Sequence, residues 1–164
     1  MYMSSRELEP QPRWKHAAFG AGLNHFVWGG DGGSAKIQAQ QIETFDVSSA
    51  KWKKPQLLQG SLPGRMYGMA ITTDGESVFS FGGWNGSAHV NTIYEINPRT
   101  LKCREILPET SNSPPGISRS GIVCYNGTLV VCGGYTDAGH IDDLYVFDLR
   151  NSECGNNKRY TYVW

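Results

Sequence analysis

The chain has 164 residues, with 15 basic and 15 acidic side chains and a formal net charge of zero. That balance provides no electrostatic footprint for DNA, RNA or an anionic membrane surface. Charged residues make up only 18%, while there are 20 glycines, 5 Trp, 8 Tyr and 6 Phe, a mixture that suits short strands and tight turns and argues against a helical bundle or disorder. The apolar runs fall far short of the ~20 residues that span a bilayer. The opening MYMSSRELEPQP has no apolar core of a secretory signal.

In chain order, the first predicted strands cover residues 17–23 and 25–28 and end at Gly29-Gly30. A third strand is predicted over 41–47 and a short fourth one around Trp52. The pattern then starts again. Strands over 66–72 and 77–81 flank Thr73-Asp74-Gly75-Glu76 and end at Gly82-Gly83. A third follows over 92–97, then the turn Asn97-Pro98-Arg99-Thr100 and a fourth around Cys103. In the last copy Asn126-Gly127 separates 121–125 from 128–132, which ends at Gly133-Gly134. Asn-Gly between two β-rich runs is a hairpin signal, because both turn residues adopt positive φ. The copy closes with a strand over 143–149 and a short one around Cys154. No segment shows a sustained apolar period of 3.6, so no long helix is predicted.

Several markers hold one register through the three copies. The double glycines lie 53 and 51 residues apart, and Phe45, Ile96 and Phe147 are spaced by 51. Each of these three is followed by Asp46, Asn97 or Asp148, and seven residues on stand Trp52, Cys103 and Cys154. Arg13, Arg65 and Arg119 lead the three first strands. The units run over 13–60, 61–113 and 114–164, the last with a C-terminal tail, behind an N-terminal extension of 1–12. The first two strands of each unit are apolar at nearly every position, as in strands buried on both faces. One four-stranded sheet cannot cover both its faces, so the units must stack like propeller blades. The expected fold is all-β: three four-stranded antiparallel blades in a partial ring, with each double glycine at the end of a second strand.

The arginine-led first strand, the double glycine, the third-strand marker and the Trp seven residues on resemble kelch repeats over 13–154. The period near 50 fits kelch rather than WD40. HFVWGGDGG and KWKKP resemble the kelch-domain-containing proteins built almost wholly of propeller, and this chain shows no BTB segment. Cys103 and Cys154 depart from the pattern, which has Trp there. The resemblance implies rings of six or seven blades, so three copies make about half of one. The apolar end faces are then covered by the remaining blades of a longer propeller or by self-association, or they stay open in a short array.

For function, the resemblance implies a protein–protein interaction module. It would act as an adaptor or substrate-recognition domain, with ubiquitin-ligase substrate receptors among its relatives, and its loop face would take peptides with acidic motifs or C-terminal carboxylates. On that face the sequence gathers Arg13, Arg65 and Arg119 with Trp84, Asn85, Tyr135 and Asp137. Arginine forks hold carboxylates at two points and the aromatic rings supply contact area. The competing role for the arginines is to bridge neighbouring blades. No G-x-S-x-G, P-loop or HExxH motif occurs, and the four cysteines include no C-x-x-C pair. Catalytic residues, metals and cofactors are therefore not expected. The rival reading is a metal-dependent propeller enzyme or specifier protein of the galactose oxidase-like type, with His89 and His140, 51 apart, as its ligands. The expected partner is a protein or peptide rather than nucleic acid or membrane. The expected location is the cytoplasm, with the nucleus as the alternative.

Overall fold

The computed structural model describes residues 9–34, 37–106 and 113–149, and the backbone of 160–162. All regular structure among them is β-strand, in three sheets. The first blade runs β1 (Ala17–Ala21), β2 (Asn24–Trp28), β3 (Gln41–Asp46) and β4 (Lys51–Trp52), with β5 (Gln56–Leu57) on the other end of β3. In the second blade β6 (Gln59–Gly60) pairs in parallel with β10, outside the antiparallel series β7 (Ala70–Thr73), β8 (Val78–Phe81), β9 (Ile93–Asn97) and β10 (Lys102–Ile106). The third blade is β11 (Gly121–Tyr125), β12 (Thr128–Thr136), β13 (Gly139–Asp148) and β14 (Tyr160–Tyr162). The blades are thus four-stranded and antiparallel except for these two short additions. Gly60 makes the parallel one feasible, since a Cβ there would run into the Cys103 carbonyl.

Two differences from the sequence expectation have clear local causes. The third double glycine does not end its strand. A bulge between Cys132 and Gly134 absorbs it, and β12 runs on to Thr136 against the start of β13. The outer strand of blade three does not sit seven residues past the marker either. Tyr160 takes the place opposite Phe147 that Trp52 takes opposite Phe45 and Cys103 opposite Ile96. Cys154 lies outside the described residues.

One apolar core lies between blades one and two, and a second lies between blades two and three. The first strands of successive blades touch, which places them innermost, and the Thr72 hydroxyl accepts the Cys124 N–H across that seam at 3.1 Å. Strand alternation gives every blade one face toward the blade before it and one toward the blade after it. The marker positions point backward. Ile96 meets blade one and is fully buried, and Phe147 meets blade two at 2% exposure. Phe45 holds the same marker position in blade one. Among the described residues no blade packs on its backward side, and it is only half-buried, propped edge-on against Trp52 at 5.3 Å. The double glycines act on the forward side. Gly29 and Gly82 have φ of 63° and 66°, and a Cβ on either would strike a carbonyl of the next blade, that of Met66 or Ile117. They let one blade's backbone lie against the next.

Candidate functional site

Each innermost strand is preceded by a short segment that crosses back to the residue just after a double glycine. Trp14 pairs with Asp31, Tyr67 with Trp84 and Ser118 with Tyr135, always 17 residues apart. Each pair exchanges two backbone hydrogen bonds of 2.8–3.2 Å. The next residues, Lys15, Gly68 and Arg119, are all left-handed, with φ of 52°, 68° and 58°. They form a relay from blade to blade: the Gly68 N–H donates to the Lys15 carbonyl at 2.8 Å, and the Arg119 N–H to that of Gly68 at 2.7 Å.

This register corrects the sequence reading of the arginines, which treated them as equivalent. Arg13 stands one residue before its bridge, Arg65 two before and Arg119 one after. They also do different things. Arg13 is buried. It pairs with Glu43 at 3.1 Å, both side chains being 6% exposed, and also donates to the Gly29 and Gln11 carbonyls. It is a structural tie within blade one and does not face a ligand. Arg65 bridges blade two to Asp31 of blade one at 3.0 Å, with its guanidinium 5.4 Å from the centre of the Tyr67 ring. Arg119 is exposed and lines a cavity.

That cavity is about 200 Å3 and is walled by Lys15, Tyr67, Trp84, His89, Arg119 and Tyr135, with Gly68 and Ser118 at its base. It sits where all three leading segments meet. The Lys15 ammonium lies 3.8 Å from the centre of Trp14 and 5.3 Å from that of Tyr67, distances at which the ring faces attract a cation. The rings continue as an edge-to-face series, Trp84 to His89 at 4.7 Å, His89 to Tyr135 at 5.6 Å and Tyr135 to His140 at 5.0 Å. Asp137 contacts His89 Nδ1 at 2.6 Å and fixes that ring in the wall. Asn85 Oδ1 accepts from Ser87 N–H and Ala88 N–H, both at 2.9 Å, and so shapes its own loop. Of the predicted residues, the structure brings Arg119, Trp84 and Tyr135 into the wall and sets Asp137 behind it. Arg13 lies apart.

Lys15, Tyr67 and His89 were missed as wall residues. The signal for Tyr67 was available in the constant spacing of 17 counted back from the residue after each double glycine. For the rival reading, His89 and His140 do hold equivalent places, opposite Trp84 and Tyr135. Tyr135 contacts both rings, and among the described residues no three His, Cys, Asp or Glu side chains converge. A larger groove, about 510 Å3, follows the outer edge of blade two past Gly60 and Cys103. Burial pushes the Cys103 thiol up to about 12, so it stays protonated and is a poor nucleophile or ligand.

A family model described as the KLHDC2/KLHL20/DRC7 Kelch-repeats domain matches residues 3–156. Kelch domain-containing protein 1 of Homo sapiens is 26% identical over 151 residues, which cover 87% of this chain and 37% of that protein. Kelch repeat-containing protein 2 of Saccharomyces cerevisiae is 27% identical over 155 residues, covering 87% of this chain and 18% of that protein. The Rab9 effector protein with kelch motifs of Danio rerio is 29% identical over 73 residues, covering 44% and 20%. The chain therefore spans well under half the length of these relatives.

Proposed function

The chain belongs to the kelch-repeat family, and on that premise we propose that it binds a carboxylate-bearing peptide in the cavity between Lys15 and Arg119. Kelch repeats are generally protein-interaction modules. One relative is named as an effector of Rab9, and a protein-binding role of that kind, as adaptor or substrate-recognition domain in the cytoplasm, is the one we assign here.

One observation carries the assignment. The left-handed position before the innermost strand suits glycine, and blade two has Gly68 there. Blades one and three instead hold a lysine and an arginine in the same conformation, each at a cost of roughly 1–2 kcal/mol. The side chains so retained are cations on an aromatic-walled cavity. The Arg119 fork suits two-point bonding to a carboxylate, while Trp84 and Tyr135 offer faces for an apolar neighbour.

The test uses the same strain. A peptide array of acidic and free C-terminal sequences is probed with the purified chain. Arg119→Gly is then measured against any peptide captured. Binding should fall roughly ten- to hundredfold, while the melting temperature holds or rises as the strain is relieved. Arg13→Ala is the structural control. It should lower stability by about 3–5 kcal/mol by stranding Glu43, and binding only in proportion to unfolded protein. Capture that survives both Arg119→Gly and Trp84→Ala unchanged overturns the assignment.

A further inference from the structure

We infer that a cavity at the other end of the seam between blades one and two is a second binding site, and that it takes a carboxylate carried on a small apolar body. The aromatic-walled cavity lies where the innermost strands begin. This one, about 450 Å3, lies where they end, among the turns β1–β2, β7–β8 and β9–β10. Its volume is that of a small-molecule site. Phe26 and Thr44 are its buried members, at 3% and 2% exposure. Asn24, Lys53 and Gln56 of blade one and Arg99 of blade two supply its polar lining.

The repeat itself shows what fits there. On the forward face of blade two, Glu95 stands between Ser77 and Arg104. One of its carboxylate oxygens accepts the Ser77 hydroxyl at 2.8 Å, and the other accepts from Arg104 Nε. By strand register, Asn24, Thr44 and Lys53 hold those three places in blade one. The polar neighbour and the cation are retained, but the carboxylate between them is replaced by a threonine. Lys53 Nζ then donates directly to Asn24 Oδ1 at 2.8 Å and pairs with Asp46 at 3.0 Å. An ammonium has three donors, so one is left for a ligand.

The cavity is rich in donors and poor in acceptors. Among the described residues, the amide N–H groups of Asn24 and Gln56 and the guanidinium of Arg99 have no partner. Gln56 Oε1 is already taken, accepting the Thr44 hydroxyl at 3.5 Å. Arg99 sits on a turn fixed by its own N–H, which donates to Asn97 Oδ1 at 3.0 Å. A carboxylate answers such a set, since it only accepts and meets an arginine fork at two points. Glu76, the one acidic side chain in the lining, is exposed on the β7–β8 turn. Phe26, Pro98 and Leu101 give the rest of the ligand apolar surface.

The experiment follows the side-chain amide signals of Asn24 and Gln56 by nuclear magnetic resonance in the full, isotope-labelled chain. The probes are phenylacetate, its neutral amide, inorganic phosphate and an end-capped phenylalanyl-glutamate peptide. These signals belong to this cavity, so an acid bound at the Arg119 wall leaves them unmoved. Phenylacetate or the peptide should shift them, and the tighter of the two tells whether a free acid or a peptide chain carries the carboxylate. Arg99→Ala, at an exposed position, should weaken that binding roughly fivefold with an unchanged melting temperature. Thr44→Glu supplies the carboxylate from the chain itself and should abolish it. If that variant fails to fold, Arg99→Ala carries the test alone. Signals that stay still with both carboxylates overturn the inference. So does an equal response to the amide or to phosphate, or binding that Arg99→Ala leaves at full strength.

Discussion

Strand β8 in blade two and strand β11 in blade three have similarly apolar sequences, VFSF and GIVCY, and opposite fates. All four residues of β8 are buried, including Ser80. In β11 Gly121, Val123 and Tyr125 are exposed, while Ile122 and Cys124 between them are half-buried. The difference lies in the neighbours. Blade two is sandwiched, with a core on each side. Among the described residues, blade three is covered on its backward face alone. A continuous apolar run thus describes a strand suited to two covered faces, and the surrounding blades decide whether both are covered.

The sharpest break of this comparison is a pair of truncations on forward faces. Phe81→Ala empties a site at 2% exposure between blades two and three, and should cost about 3–5 kcal/mol in urea melts. Val130→Ala, on the half-buried forward face of blade three, should cost under ~1 kcal/mol in the isolated chain. Similar costs at the two sites would show that the forward face of blade three is covered in solution.

A smaller effect separates the glycines. Gly82→Ala adds a methyl against the Ile117 carbonyl at a left-handed φ. Overpacking and backbone strain together should cost about 2–4 kcal/mol. Gly133→Ala carries the same backbone strain, but the Ile141 carbonyl 3.3 Å away can yield, so about 1–2 kcal/mol is expected. Thermal melts of the two variants under one buffer decide it. Equal losses would mean that strain alone, and no blade contact, accounts for the double glycine.

These pairs also show what the sequence made legible. The 51-residue register, the second strands and the Asn126-Gly127 hairpin, with φ of 48° and 73°, could all be read because each depends on local chemistry repeated at fixed spacing. The arginines misled because three identical letters sit at three different places on an irregular segment. Their register is set by the bridges from Trp14, Tyr67 and Ser118, which no arginine marks. Of the proposed wall, the aromatic residues after the double glycines were found, since those glycines fix their place. Lys15 was not, because its role follows from a left-handed backbone that lysine does not advertise. The outer strand of blade three escaped for a different reason: the connection from Phe147 to Tyr160 is longer than its counterparts, and spacing carried over from other copies cannot anticipate an insertion.

The finest contrast is between the turns that lead into the outer strands of blades one and two. Asp46 Oδ1 accepts from the Ser48 hydroxyl at 2.5 Å and from the N–H groups of Ser48 and Ser49, and Asp46 pairs with Lys53 at 3.0 Å. Asn97 takes the same place in blade two, accepting from Arg99 N–H and Thr100 N–H at 3.0 Å. The Ser48 bond first, then Lys53 and the Ser49 N–H, hold the Asp46 carboxyl well below the usual carboxylate range. A depressed folded-state pKa gives stability that is intact above the unfolded value, near 4, and drains away as pH falls toward the folded one. Acid below about pH 4 should therefore loosen the blade-one turn and leave the Asn97 turn unaffected, because Asn97 has nothing to protonate. Amide exchange at Ser48 and Ser49, compared with Arg99 and Thr100 across that range, reads the difference directly. Asp46→Asn should bring the two turns to the same pH response, and a wild type in which both turns already respond alike would refute the electrostatic account of the blade-one turn.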